Sequence, residues 1–154
     1  MTTCILVSDR STARLLLVAS TSRPSAVKEA ATLVSPMARL RPRSFATERT
    51  GRTSARASPG GGPRMAARAG IETDADPRAI EAQRFAKRVA RRLDVERRAG
   101  AIDSLVIVAA PRFLGELRKS LSAPTRALVR QEITADWIHL APQDILQRVR
   151  QEKP

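Results

Sequence analysis

The sequence predicts a layered α/β domain. Three observations carry this. Cys4-Ile5-Leu6-Val7 and Leu105-Val106-Ile107-Val108-Ala109-Ala110 are short continuous apolar runs, the pattern of strands buried on both faces. A segment with helical apolar spacing follows Asp76-Pro77. Helix and strand patterns then succeed one another to the C-terminus. The 154 residues are one domain's worth, so 1–154 is expected to form a single domain.

Taken in order, Cys4 to Val7 forms the first strand and Ser8-Asp9 ends it. Asp9 to Thr12 supply turn chemistry, and Ala13 to Ser20 form a second strand, so the two predict a hairpin. Pro24 and Ser25 break it. Lys28 to Leu40 reads either as a third short strand around Leu33-Val34 or as a helix fragment. Asp76 is a good N-cap and Pro77 suits the first helical position. Ala82, Phe85, Ala86, Val89 and Leu93 make the buried stripe, and Gly100 ends the helix. Pro111 stops the central strand and opens a helix through Phe113, Leu114, Leu117 and Leu121. Ser122 and Pro124 are expected to start another helix, with Leu128, Val129 and Ile133 apolar. Trp137 to Leu140 reads as a last strand, and Pro142 begins a terminal helix.

The middle of the chain differs from its flanks. Residues 41–78 contain three large apolar residues, Phe45, Met65 and Ile71. Residues 41–70 carry seven Arg and one acid, Glu48. Burial there cannot offset the entropy of ordering, so 41–75 is expected to be a flexible, disordered basic loop rich in Arg, Gly, Ser and Pro.

Charge is the dominant feature of the composition. Lys and Arg number 28 against 15 Asp and Glu, a net charge of +13, and only four of the basic residues are Lys. An excess of this size suits an anionic partner, most simply RNA or a ribonucleoprotein surface. GC-rich coding produces the same Arg and Ala enrichment. Arg84, Arg88, Arg91 and Arg92 are expected on the outer side of the long helix. Like charges four apart cost about 0.2–0.5 kcal/mol per pair, which a phosphate partner would offset.

Several chemistries are excluded. One cysteine, Cys4, forms no disulfide framework, and one Cys with one His139 makes no Cys/His zinc site. No GxSxG, HExxH, CxxC or P-loop motif occurs. The apolar run near the N-terminus is short and interrupted by Asp9, Arg10 and Arg14. No signal peptide or membrane insertion is therefore expected, and the protein is expected to be cytoplasmic. No metal and no cofactor is expected. Asp9 and Asp103, near the ends of adjacent strands, would be the carboxylates of a Mg²⁺-dependent hydrolase, which needs at least a third acid. Arg112 is the better candidate. At a strand-to-helix junction its guanidinium and the free helix N–H groups could jointly hold an anion.

Four segments together resemble the bacterial host-attachment protein family, described as required for attachment to host cells. The first is Ile5-Leu6-Val7-Ser8-Asp9 with Ala13-Arg14-Leu15. The second is Gly51-Arg52, the run Gly60-Gly61-Gly62, and Glu72-Thr73-Asp74-Ala75-Asp76-Pro77. The third is Phe85-Ala86 with Pro111-Arg112-Phe113-Leu114-Gly115 and Leu117-Arg118-Lys119. The fourth is Ile133, Asp136, His139-Leu140 and Pro142. That family is thought to be similar to the middle domain of archaeo-eukaryotic peptide-release factors, which implies an RNase H-like mixed β-sheet flanked by helices. In release factors a Gly-Gly-Gln loop precedes a long helix. Here Gly60 to Gly62 are followed by Pro63, with no Gln, so the resemblance does not bring peptidyl-tRNA hydrolysis with it.

The resulting expectation is a non-catalytic, release-factor-like domain that binds RNA or the ribosome. Arg52, Arg56 and Arg64 of the loop, the four helix arginines and Arg112 would contact phosphate. The alternative is a factor acting directly, or by regulation, in attachment to host cells.

Overall fold

The computed structural model describes residues 1–19, 26–36 and 76–152. Five strands form one sheet in the order β3-β2-β1-β4-β5. β1 (Thr2–Ser8), β2 (Thr12–Ala19) and β3 (Val27–Val34) are an antiparallel meander. The ambiguous third segment is thus a strand. β4 (Ser104–Ala109) adds parallel to β1, with Cys4 opposite Leu105 and Ser8 opposite Ala109. β5 (Val129–Thr134) adds parallel to β4. The sheet is therefore mixed, as expected of this α/β domain.

α1 (Pro77–Arg98) begins where Asp76 accepts a hydrogen bond from the Arg78 N–H at 3.0 Å, with Pro77 at the first helical position. It ends in a Schellman arrangement. The Gly100 N–H donates to Arg97 O and the Ala101 N–H to Glu96 O, and Gly100 takes φ of 69°, which only glycine adopts readily. α2 (Pro111–Ser120) and α4 (Pro142–Gln151) also open on proline, and α3 (Ala123–Arg126) is a single turn capped by Ser122.

Alternation along the strands sends side chains to both faces. Cys4, Leu6, Leu15, Leu105 and Ile107 meet Phe85, Val89, Leu93, Phe113 and Leu117 under α1 and α2. Ile5, Val7, Leu16, Val106 and Val108 meet Ile138, Ile145 and Leu146 on the α4 side. All six residues of β4 are buried, as its unbroken apolar run predicts.

Two expectations are corrected. The helix predicted from Ser122 through Ile133 stops after one turn, and Val129–Thr134 is a strand. The reason is tertiary: β4 has an open edge whose N–H and C=O groups need partners, and β5 supplies them. Trp137 to Leu140 is not a strand but a turn, closed by the Leu140 N–H on Trp137 O. The expectations for the basic loop, with Arg52, Arg56, Arg64 and Gly60 to Gly62, lie outside the described residues.

Candidate functional site

Parallel pairing of β1 and β4 brings their carboxyl ends to one edge of the sheet. α2 starts there directly from β4. α1 runs back toward the start of β4, so its N-terminus lies at the same edge. A cleft of about 370 Å³ opens between them. Arg10 from the β1–β2 turn, Arg78 from α1, and Arg112 and Lys119 from α2 supply its cations. Asp76 and Glu116 are the carboxylates among its described residues, and Ala79, Ala82, Pro111 and Phe113 contribute apolar wall.

Arg112 is exposed and stands at the strand-to-helix junction that the sequence predicts. No side chain caps α2. The Arg112 and Phe113 N–H groups therefore have no partner within the helix, since the first intrahelical bond is Leu114 N–H to Ala110 O at 2.9 Å. Lys119 is 3.5 Å from Glu116. Phe113 is buried against Phe85, with ring centroids 5.7 Å apart, so the two motif segments Phe85-Ala86 and Pro111-Arg112-Phe113 meet in the core.

Arg84, Arg88, Arg91 and Arg92 are all exposed, spread over α1 from the side opposite its buried stripe round to the edge marked by Phe85. Arg84 lies 3.9 Å from Glu81 and Arg92 2.8 Å from Glu96. Arg88 donates to Val34 O at 3.3 Å and stacks over Phe85. This face is separate from the cleft, so Arg112 does not extend it.

Asp9 and Asp103 do not form a metal pair. Asp9 follows the carboxyl end of β1 and Asp103 precedes the amino end of the parallel β4, a strand length of about 20 Å apart. Each carboxylate is engaged locally. Asp9 Oδ1 accepts from the N–H groups of Ser11 (2.8 Å) and Thr12 (2.7 Å), closing the hairpin turn. Asp103 Oδ2 accepts from the Thr2 N–H at 2.7 Å. Among the described residues no group of three or more His, Cys, Asp or Glu could hold a metal ion. Burial pushes the Cys4 thiol up to about 12, which leaves it an unreactive core residue.

Arg14 has a role that sequence reasoning missed. It lies on β2 with only 14% of its side chain exposed. Its guanidinium donates to Ile138 O (2.9 Å) and Leu140 O (2.7 Å) through Nη1. Through Nε (3.2 Å) and Nη2 (2.9 Å) it grips the Glu29 carboxylate on β3. That contact, with Thr32, holds the Glu29 carboxyl below the usual carboxylate range. Arg14 thus clasps the His139 turn to the sheet, and His139 itself is exposed. The other overlooked residues are Arg10, Arg78 and Lys119. Their sequence signal is position near an element end, with Lys119 also in the Leu117-Arg118-Lys119 segment, and it becomes informative once β1 and β4 are known to run parallel.

The fold and site define a three-layer α/β domain with cations spread along one helix and gathered in one cleft. The chain belongs to the family described as "Protein required for attachment to host cells", whose family model matches residues 4–149. No curated protein matches it. Among the described residues, no helix is long and apolar enough to cross a membrane.

Proposed function

We propose that this host-attachment family protein is a non-catalytic, release-factor-like factor that binds RNA or the ribosome in the cytoplasm. The observation that carries the reading is the exposed row Arg84, Arg88, Arg91 and Arg92 on one face of α1. Four guanidinium groups at i, i+4, i+7 and i+8 track a phosphate backbone, and nearby acids neutralise only part of their charge. The mixed sheet with helices on both faces is the architecture that an RNase H-like relationship to release factors requires. The separation of Asp9 from Asp103 argues against the Mg²⁺-dependent hydrolase.

Co-sedimentation with ribosomes over a salt series tests this. Four phosphate contacts predict a log–log slope of about −3. Replacing all four arginines by alanine is expected to abolish co-migration. Unchanged co-migration of that variant would refute the reading.

Family membership favours a second reading, a direct or regulatory part in attachment to host cells. A strain lacking the protein would then attach poorly, and the Arg84/Arg88/Arg91/Arg92 variant would restore attachment if the role is independent of RNA.

A further inference from the structure

We infer that the cleft between the N-termini of α1 and α2 is a binding site for a small phosphate monoester carrying a hydroxylated organic group, the chemistry of a nucleoside monophosphate. The inference stands whether or not the outer face of α1 meets RNA, because it uses different residues.

Three features converge. First, Arg10, Arg78, Arg112 and Lys119 come from three separate elements and face one cavity. Among the described residues the cleft has four cations and two carboxylates, and cations remain in excess even without Arg78, which already has an interaction of its own. Second, the uncapped start of α2 adds the Arg112 and Phe113 N–H groups and the positive end of the helix dipole.

Third, Gly115 lines the cleft from within α2, where glycine costs about 0.5–1 kcal/mol relative to alanine. Packing does not demand it: a Cβ there would meet nothing within 4 Å, and its φ is not positive. The missing side chain keeps that wall of the cleft open.

Size and polarity narrow the ligand. A volume of about 370 Å³ lies at the small end of small-molecule pockets and exceeds what a bare phosphate fills. Arg112, Arg10 and the α2 N–H groups suit the phosphate. Asp76 and Glu116 are acceptors for hydroxyl or amino hydrogens on the rest of the ligand. Ala79, Ala82 and Phe113 cover an apolar face.

The test is calorimetric and NMR titration of the full chain with adenosine 5′-monophosphate, adenosine and inorganic phosphate. 5′-phosphorylated and 5′-hydroxyl oligonucleotides complete the set. The nucleotide is expected to bind at least tenfold more tightly than adenosine or phosphate. Arg112→Ala is expected to lower that affinity at least tenfold while Arg91→Ala, the same charge loss on the outer face, leaves it unchanged. Gly115→Leu is expected to block binding with the fold intact by circular dichroism. A preference for the 5′-phosphorylated oligonucleotide over the free nucleotide would identify an RNA end as the source of the phosphate. The reverse preference would identify a free nucleotide. Equal loss in Arg112→Ala and Arg91→Ala would overturn the site as a general charge effect. So would equal affinity for adenosine, or no binding at about 10 mM nucleotide.

Discussion

Under α1 and α2, seventeen buried residues of the described chain pack together, including the Phe85–Phe113 pair. On the opposite face there are ten, and the Arg14 guanidinium adds hydrogen bonds to the Ile138 and Leu140 carbonyls there. One face is held mainly by apolar burial. The other depends in addition on four directed hydrogen bonds that tie β2, β3 and the 138–140 turn together. Burial tolerates small displacements, whereas a guanidinium with four fixed acceptors does not. The second face is therefore the one that a single polar substitution should open.

The largest expected effect is on the better-packed face. Phe85→Ala is expected to cost about 3–5 kcal/mol, read by denaturant unfolding, with faster hydrogen exchange across the whole sheet. Arg14→Ala should follow, at about 1.5–3 kcal/mol, because it leaves two carbonyls without this donor and Glu29 with only the Thr32 hydroxyl. Its exchange signature should be local to α4 and the 138–140 turn. Equal acceleration in α1 would break the contrast between the faces. Arg14→Lys should not rescue it, since an ammonium cannot serve this forked set of acceptors.

Acid acts on both faces. Arg14 and Thr32 lower the folded-state pKa of Glu29, and the hydroxyls of Ser122 and Thr125, followed by Arg97 and Arg98, lower that of Asp94. A depressed carboxylate pKa contributes stability above its unfolded value, about 4, and loses it as pH falls through the folded value. Melting temperature should drop below about pH 4, and Glu29→Gln should flatten that drop while Asp94 retains its part.

Smaller effects are expected where side chains face solvent. Gly115→Ala should stabilise the protein by about 0.5–1 kcal/mol, a gain that would confirm the fold does not need glycine there. Arg91→Ala should leave stability within about 0.5 kcal/mol, yet reduce the salt slope of ribosome co-sedimentation by about 0.7–0.9.

Much of the fold was legible because local chemistry and tertiary need agree. Asp76-Pro77 and Gly100 bound α1, and both caps form. Pro111 ends β4 and opens α2 in one step. The hairpin follows from Asp9, whose carboxylate closes its turn. Legibility fails where a segment takes its form from a distant neighbour. Val129 to Thr134 has no strong period of its own, and it is a strand because β4 lacked a partner on that side. Trp137 to Leu140 looks like a strand until Arg14, more than 120 residues away, takes two of its carbonyls.

The candidate site divides in the same way. Arg84, Arg88, Arg91 and Arg92 share a face by helical period alone, so the sequence sufficed to place them together. Arg112 is found from its strand-to-helix junction. Its company of Arg10, Arg78 and Lys119 is not, because those residues meet only through the parallel pairing of β1 with β4 and the antiparallel run of α1 beside them. By itself the sequence determined β1, β2, β4, α1 and α2, the caps of α1, its buried stripe and the excess of positive charge, since each depends on residues a few positions apart. Tertiary structure alone decided which strand edge is filled, which arginine becomes a clasp and which become a site, because those outcomes depend on backbone groups and charges brought together from distant parts of the chain.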